Sequence, residues 1–257
     1  MAARIKQLWI FCAVLWVQAC TADVYVPISH PTPLLEEKGN INAAAYTSSN
    51  GTDVHTAYAF SDRFGIAGSA NYMSRNFEQQ NDFQKHKYGE LSLVYYLNLN
   101  DSPATKAESF LDSRSPSEPE VKLEFLGSVG LGEGEELRNS GGEESSSENF
   151  AKGRYSKFSL QSNIAVISEV FFIGFSPKLS YVSFHDFFAR GEVTELQMSD
   201  KTSALFFEPA LFSGFAFKSV RVEWQGGLTR NAGAQPAFNY ERFYFSVGVQ
   251  LKLDDIF

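Results

Sequence analysis

From residue 41 onward, apolar side chains recur at every second position. Near the end of the chain Phe245, Val247, Val249, Leu251 and Leu253 share one parity, and Ser246, Gly248, Gln250 and Lys252 share the other. A period of two describes a β-strand with one apolar face. The same alternation is present at Ile41-Ala43-Ala45, Thr56-Tyr58-Phe60, Ile66-Gly68-Ala70-Tyr72 and Leu91-Leu93-Tyr95-Leu97. It continues at Val121-Leu123-Phe125-Gly127-Val129-Leu131, at Phe158-Leu160-Ser162-Ile164-Val166, and at Phe171-Ile173-Phe175 with Leu179 and Tyr181. Phe207-Pro209-Leu211-Ser213-Phe215-Phe217 and Val220-Val222-Trp224 complete a set of ten strands, an even number, with no helix-period segment of useful length between them.

The links between strands fall into two classes. Those after the second, sixth and eighth strands are short; those after the first, third, fifth, seventh and ninth are mostly long and polar. Asn50-Gly51 is a hairpin signal. The long links include NFEQQNDFQKHK, the acidic GEGEELRNSGGEESSSENFAKGR, DFFARGEVTELQMSDKTS and GGLTRNAGAQPAFNYER. Strands running alternately up and down therefore collect long loops at one end and turns at the other, the asymmetry of transmembrane barrels. A Ser/Pro-rich insertion at 98–120 breaks the rule and reads as an excursion at the turn end.

Alternation alone also fits a soluble barrel, so the position of charge decides. In the fourth to tenth strands the Leu, Val, Ile and Phe face is nearly free of charge. The opposite face carries Glu90, Lys122, Glu124, Glu208, Arg221, Glu223 and Lys252 among small and amide residues. A soluble barrel would carry a denser charge outside. A thinly charged face rich in small residues suits a narrow lumen, where four acids and three bases can pair away from water. The expected fold is an all-β, antiparallel up-and-down transmembrane β-barrel of about ten strands. Its strands need about 9–11 residues to cross the hydrocarbon.

The first residues follow a different pattern. Arg4 and Lys6 precede an apolar run from Leu8 to Val17, followed by Ala19 and Cys20. This is a secretory signal and too short for a lasting transmembrane helix. Residues 1–19 are read as the signal peptide, 20–38 (three of whose residues are prolines) as a tether, and 39–257 as one barrel domain. Cys12 lies within the signal, leaving Cys20 as the lone thiol of an exported chain, which acylation would explain. Ordinary cleavage after Ala19 or a little later is the alternative.

Composition removes several functions. The net charge is -8, with no cluster of Lys and Arg to meet phosphates, so no nucleic-acid partner is expected. A mean hydropathy of -0.20 excludes a helical membrane bundle. Twenty-four Phe among 15% aromatic residues fit lipid contact and interfacial girdles. No Gly-x-Ser-x-Gly, metal-spaced His pair or Cys pair occurs, and no cofactor is expected. The acidic stretch from Glu133 to Glu148 lacks calcium-loop spacing.

Several motifs resemble those of bacterial outer-membrane proteins. VQAC, ending at Cys20, resembles the lipobox of bacterial lipoproteins. FEPALFSGFAF, residues 207–217, resembles strands of the outer-membrane β-barrel proteins of Bacteroidota-type bacteria. The terminal Phe257 resembles the C-terminal assembly signal that the barrel-assembly machinery reads. The resemblance implies the outer membrane of a Gram-negative cell with a periplasmic N-terminus, and partners limited to outer-membrane lipids and the assembly machinery. The resulting expectation is a porin-like or structural barrel, lipid-anchored, with no evident catalysis. Two alternatives stay open. One is a rim-active, omptin-like hydrolase using His55, His86 or His185 with Asp53 or Asp186. The other is a tethered soluble periplasmic ligand-binding barrel.

Overall fold

The computed structural model describes residues 23–77, 82–99, 119–140, 147–190, 202–234, 236 and 238–254. Cys20, Phe257 and most of the 98–120 insertion lie outside the described residues. Thirteen strands follow in order: β1 (Asp23–Tyr25), β2 (Ile41–Ser48), β3 (Gly51–Ala59), β4 (Phe64–Phe77), β5 (Asp82–Asn98), β6 (Glu120–Ser140), β7 (Ser147–Ile167), β8 (Phe171–Arg190), β9 (Thr202–Phe217), β10 (Val220–Leu228), β11 (Arg230–Asn231), β12 (Asn239–Tyr240) and β13 (Phe243–Lys252). From β2 to β10 each strand pairs antiparallel with its sequence neighbour, and β13 pairs with both β10 and β2. The sheet is thereby closed into a ten-staved, up-and-down barrel, and β11 extends the β10 stave against β9. Closure removes the open edge that a bilayer cannot tolerate.

Parity sets the two faces. Val54, Ile66, Leu91, Leu93, Phe125, Val129, Leu160, Ile173, Leu211 and Val247 are exposed on the outside. Ser69, Ser92, Ser128, Gln161, Asn163, Ser180 and Gln250 are buried inside. This inside-out distribution is that of a transmembrane barrel, not of a soluble one. On β8 the outward apolar run from Phe171 to Tyr181 covers roughly 25 Å along the normal at ordinary rise and tilt.

The wall is uneven. β2, β3, β10 and β13 have 8, 9, 9 and 10 residues, whereas β6 and β7 have 21 each. The acidic stretch expected to be a loop across residues 132–154 is largely ladder, since β6 runs to Ser140 and β7 starts at Ser147. The expected loop at 76–87 is likewise narrowed to the four residues between β4 and β5. Beyond the apolar belt an outward side chain has no reason to be apolar. The hydrophobic period ends there while the backbone pairing continues. β7 and β8 slip register between Arg154 and Tyr155, opposite His185 and Asp186, so a bulge turns both of these residues outward.

Residues 23–38 are the main departure from expectation. They do not form an external tether. Val24–Leu35 is buried throughout, and the segment runs down the inside of the barrel. Its first residues pair with β12 and touch Glu136 near the far end of β6, at the long-loop mouth. Its last residues meet Lys122, Arg221 and Lys252 at the turn end. Gly134 makes this passage possible, because a Cβ there would strike the Val24 carbonyl.

Leu160→Arg, in the middle of the outward belt, is expected to cost about 2–4 kcal/mol of folding stability in lipid vesicles. Equilibrium denaturation of the reconstituted protein measures it.

Candidate functional site

The lumen is the only extensive polar environment enclosed by the described residues, and the segment at 23–38 occupies it. An extended peptide there has no neighbouring strand over most of its length, so its backbone groups must find side chains. The composition of the segment reduces that demand. Pro27, Pro31 and Pro33 bring no N–H donor. Three of the remaining donors find acceptors on the wall: Ser29 N–H donates to Asp53 (3.2 Å), His30 N–H to Gln225 (2.9 Å) and Leu35 N–H to Glu124 (2.9 Å). Four of the segment's carbonyls accept from wall side chains. Asn50 donates to Pro27 (3.0 Å), Gln225 to His30 (2.8 Å), and Gln161 and Asn163 to Pro31 (2.8 and 3.0 Å). Gln225 thus donates to and accepts from the same residue, as a neighbouring strand would. Pro33 O accepts from Asn42 (2.7 Å) and Gln250 (3.0 Å). The residue after it, Leu34, has φ of 49°, a left-handed conformation that costs energy outside glycine. Burial of Leu34 against Ala165, Phe172 and Phe212 offsets it.

Two ionic clusters grip the segment, one at each end. Near the long-loop mouth Lys157 Nζ donates to the Tyr25 hydroxyl (2.7 Å), which donates to Glu208 (2.7 Å). Lys157 and Glu208 also pair directly at 3.3 Å. Lys178 pairs with Glu90 at 3.4 Å, and Tyr88 donates to Glu90 at 2.7 Å. The Tyr25 ring stacks on Phe206 with centroids 4.9 Å apart. At the turn end Glu36 meets Lys122 (2.8 Å), Arg221 (3.1 Å) and Lys252. Glu223 is served by neutral donors: Thr32, Tyr46 (3.1 Å) and Gln225 (2.6 Å). Glu124 accepts from Asn163 (2.9 Å) besides Leu35.

All seven charged residues assigned to the lumen from the sequence therefore face inward, but they form two groups rather than one pore lining. Glu90 and Glu208 belong to the upper cluster. Lys122, Arg221 and Lys252 converge on Glu36, while Glu124 and Glu223 bind the segment itself. Sequence reasoning missed Lys157 and Lys178, which the parity of Phe158 and Leu179 places inside. It also missed Tyr25 and Glu36, for which no pattern existed. Space beside the segment, lined by Thr32, Tyr46, His55 and Gln250, holds about one water.

The histidines do not assemble at a rim. His55 and His86 are buried in the lumen. His86 is held between Asn71 (2.8 Å) and the Tyr155 hydroxyl (2.7 Å), which satisfies both nitrogens of a neutral imidazole. His55 contacts Ser29 (2.9 Å) and Ser69 (2.8 Å), and Ser29 donates its hydroxyl proton to Asp53 at 2.6 Å. That direction is opposite to the one a serine nucleophile needs, because its proton must go to the histidine. His185 lies outside the wall, hydrogen-bonded to Ser156 at 2.5 Å. Among the described residues no carboxylate bonds its other nitrogen. No group of three or more potential metal ligands occurs among the described residues.

Fold and site together define a transmembrane β-barrel whose lumen is filled by its own N-terminal segment. No family model matches the sequence, and no curated protein does. Among solved structures it is similar to the translocator domain of autotransporter NalP from Neisseria meningitidis, at 9% identity and a TM-score of 0.37, covering 98% of this chain and 95% of that one. It is also similar to the CymD monoaromatic hydrocarbon channel, at 10% identity and a TM-score of 0.31, covering 85% and 90%. Superpositions this loose carry no argument about what the chain does.

Glu208→Gln removes the only carboxylate within 4 Å of Lys157 among the described residues, and is expected to cost about 3–5 kcal/mol, the penalty for a stranded buried charge. Adding Lys157→Met should recover most of it. Denaturant titration of the single and double variants checks both outcomes.

Proposed function

We propose that the protein is a structural barrel of a Gram-negative outer membrane, closed to solutes by its own N-terminal segment and without catalytic activity. The observation that carries this reading is the occupied lumen: Val24–Leu35 is buried inside the barrel, and the segment is held to the wall near both mouths, at Glu136 and at Lys122. The apolar belt and the closed sheet support the location, as does the reach of β6, β7 and β8 beyond the belt at the mouth where Asp23 lies. Of the two roles expected from the sequence, a structural barrel and a narrow channel, this reading favours the first.

The direction of the segment alters the expected topology. With the long loops outside the cell, Asp23 stands at the external mouth and Glu36 at the periplasmic one. On this reading the described chain starts at the external mouth, whereas the sequence alone suggests a periplasmic N-terminus. Cys20 is three residues before Asp23. On the proposed topology an acyl chain on Cys20 would be tethered within three residues of the external mouth. The assembly machinery and outer-membrane lipids complete the partners of this reading.

A protease site inserted between Ala22 and Asp23 is expected to be cut on intact cells, and the protein should show no steady conductance in planar bilayers. Protection of that site until the outer membrane is permeabilised would reverse the topology. A stable open conductance would replace the structural barrel with a channel.

A further inference from the structure

On one side of the barrel the change from apolar to charged exterior takes place within a single rung. The outward row Leu91, Val129, Phe158, Tyr181 is in register across β5 to β8, by the pairings Leu91↔Val129, Val129↔Phe158 and Phe158↔Tyr181. The next row up is Gly89, Leu131, Ser156, Ser183, and the one above it Tyr72, Lys87, Glu133, Arg154, Asp186. A further row holds Ser74, Lys85, Glu135 and Lys152.

Small residues in the middle row make a recess. Tyr72, Lys87, Gly89, Leu131, Arg154 and His185 are among its lining, and with the open space above it the depression measures about 1020 Å³. Leu91 and Leu131 below and within it are 70% and 69% exposed, a large apolar surface that needs a hydrocarbon neighbour. Above it stand four cations. Lys152 pairs with Glu133 (3.7 Å) and Glu135 (3.3 Å), and Arg154 reaches Glu133 only at 3.8 Å. Lys85 and Lys87 have no carboxylate within 4 Å among the described residues; Lys85 lies over the Phe83 ring instead. Four bases stand against three acids here, in a chain whose net charge is -8.

We propose that this recess seats the phosphorylated headgroup of an outer-leaflet lipid. Lys87 and Arg154 face the phosphate, with Lys85 and Lys152 one rung further out. The acyl chains lie down the wall over Leu131, Leu91 and Val129. The level of the recess suits this occupant, since the rung where apolar side chains give way to charged ones is where a headgroup meets the wall. Cation recognition of phosphate supplies the attraction. The proposal rests on the outer-membrane reading above, and goes beyond it by assigning a bound lipid to a particular stretch of wall.

The test uses the full-length protein in detergent micelles, with lipid A as the probe and its dephosphorylated form and inorganic phosphate as controls. Binding is measured by native mass spectrometry and titration. Wild type is expected to retain phosphorylated lipid A and to lose affinity when the phosphates are removed. Each basic residue near an anionic surface contributes about fivefold, so Lys87→Glu with Arg154→Glu should weaken binding by about 25-fold or more. Arg63→Glu, on the turn at the opposite end, should leave binding unchanged. Equal binding of the dephosphorylated lipid by wild type overturns the proposal, as does unchanged binding by the double variant. Inorganic phosphate displacing the lipid would mean that the phosphate alone is recognised and that the apolar wall contributes nothing, which also overturns it. Heat-dependent mobility on gels, run on every variant, reports the barrel separately. Loss of the heat shift in wild type would sink the membrane-barrel reading rather than the lipid site.

Discussion

A peptide that crosses a barrel without joining its sheet must have its backbone hydrogen bonds supplied by side chains. That requirement organises the interior of this protein. Each polar backbone group left without a partner in so dry a space would cost on the order of 1–3 kcal/mol. The wall answers with Asn42, Asn50, Asn163, Gln161, Gln225 and Gln250, whose amides reach carbonyls of the segment. Asp53 and Glu124 take its N–H groups. Prolines lower the number of donors to be served. The amide-rich inner face is thus a complement to one particular peptide rather than a lining for solutes.

The ionic clusters follow from the same constraint. Buried charges are retained only when paired and hydrogen-bonded, and here the pairing runs through the segment. Tyr25 sits between Lys157 and Glu208, and Glu36 gathers three cations of the turn end. Removing the segment would take Glu36 away from the three cations of the turn end, and would take from the directly paired Lys157 and Glu208 the Tyr25 hydroxyl that both of them bind. Barrel and segment are therefore expected to stabilise each other, which is the physical basis for treating residues 23–38 as part of the fold.

Much of the wall could be read from the sequence because one rule governs it. A lipid-facing side chain must be apolar, so the outward parity of β5, β6 and β13 announces itself at Leu91, Val129 and Val247. The ten staves and their closure through the last strand follow from that parity. Where the rule lapses, legibility lapses with it. Above the belt Glu133, Glu135, Lys152 and Arg154 are as strand-borne as Leu131, yet with no bilayer to face they resemble a loop. The bulge at His185 and Asp186 is set by a register slip between β7 and β8, which periodicity cannot locate. The segment at 23–38 was the least legible part. Its partners are distant in sequence, as with Pro31 and Asn163 or Thr32 and Glu223, and its prolines have the composition of a linker. Lys157 and Lys178 were within reach, since parity alone turns them inward.

The central claim is that the N-terminal segment lies inside the barrel. It is tested most directly by replacing Tyr25 with a photo-crosslinking phenylalanine analogue and mapping the products by mass spectrometry. The account predicts intramolecular crosslinks to the wall peptides that contain Tyr155 and Phe206, whose ring centroids lie 5.6 and 4.9 Å from that of Tyr25. Crosslinks to lipid or to other proteins, with none to these peptides, would contradict it.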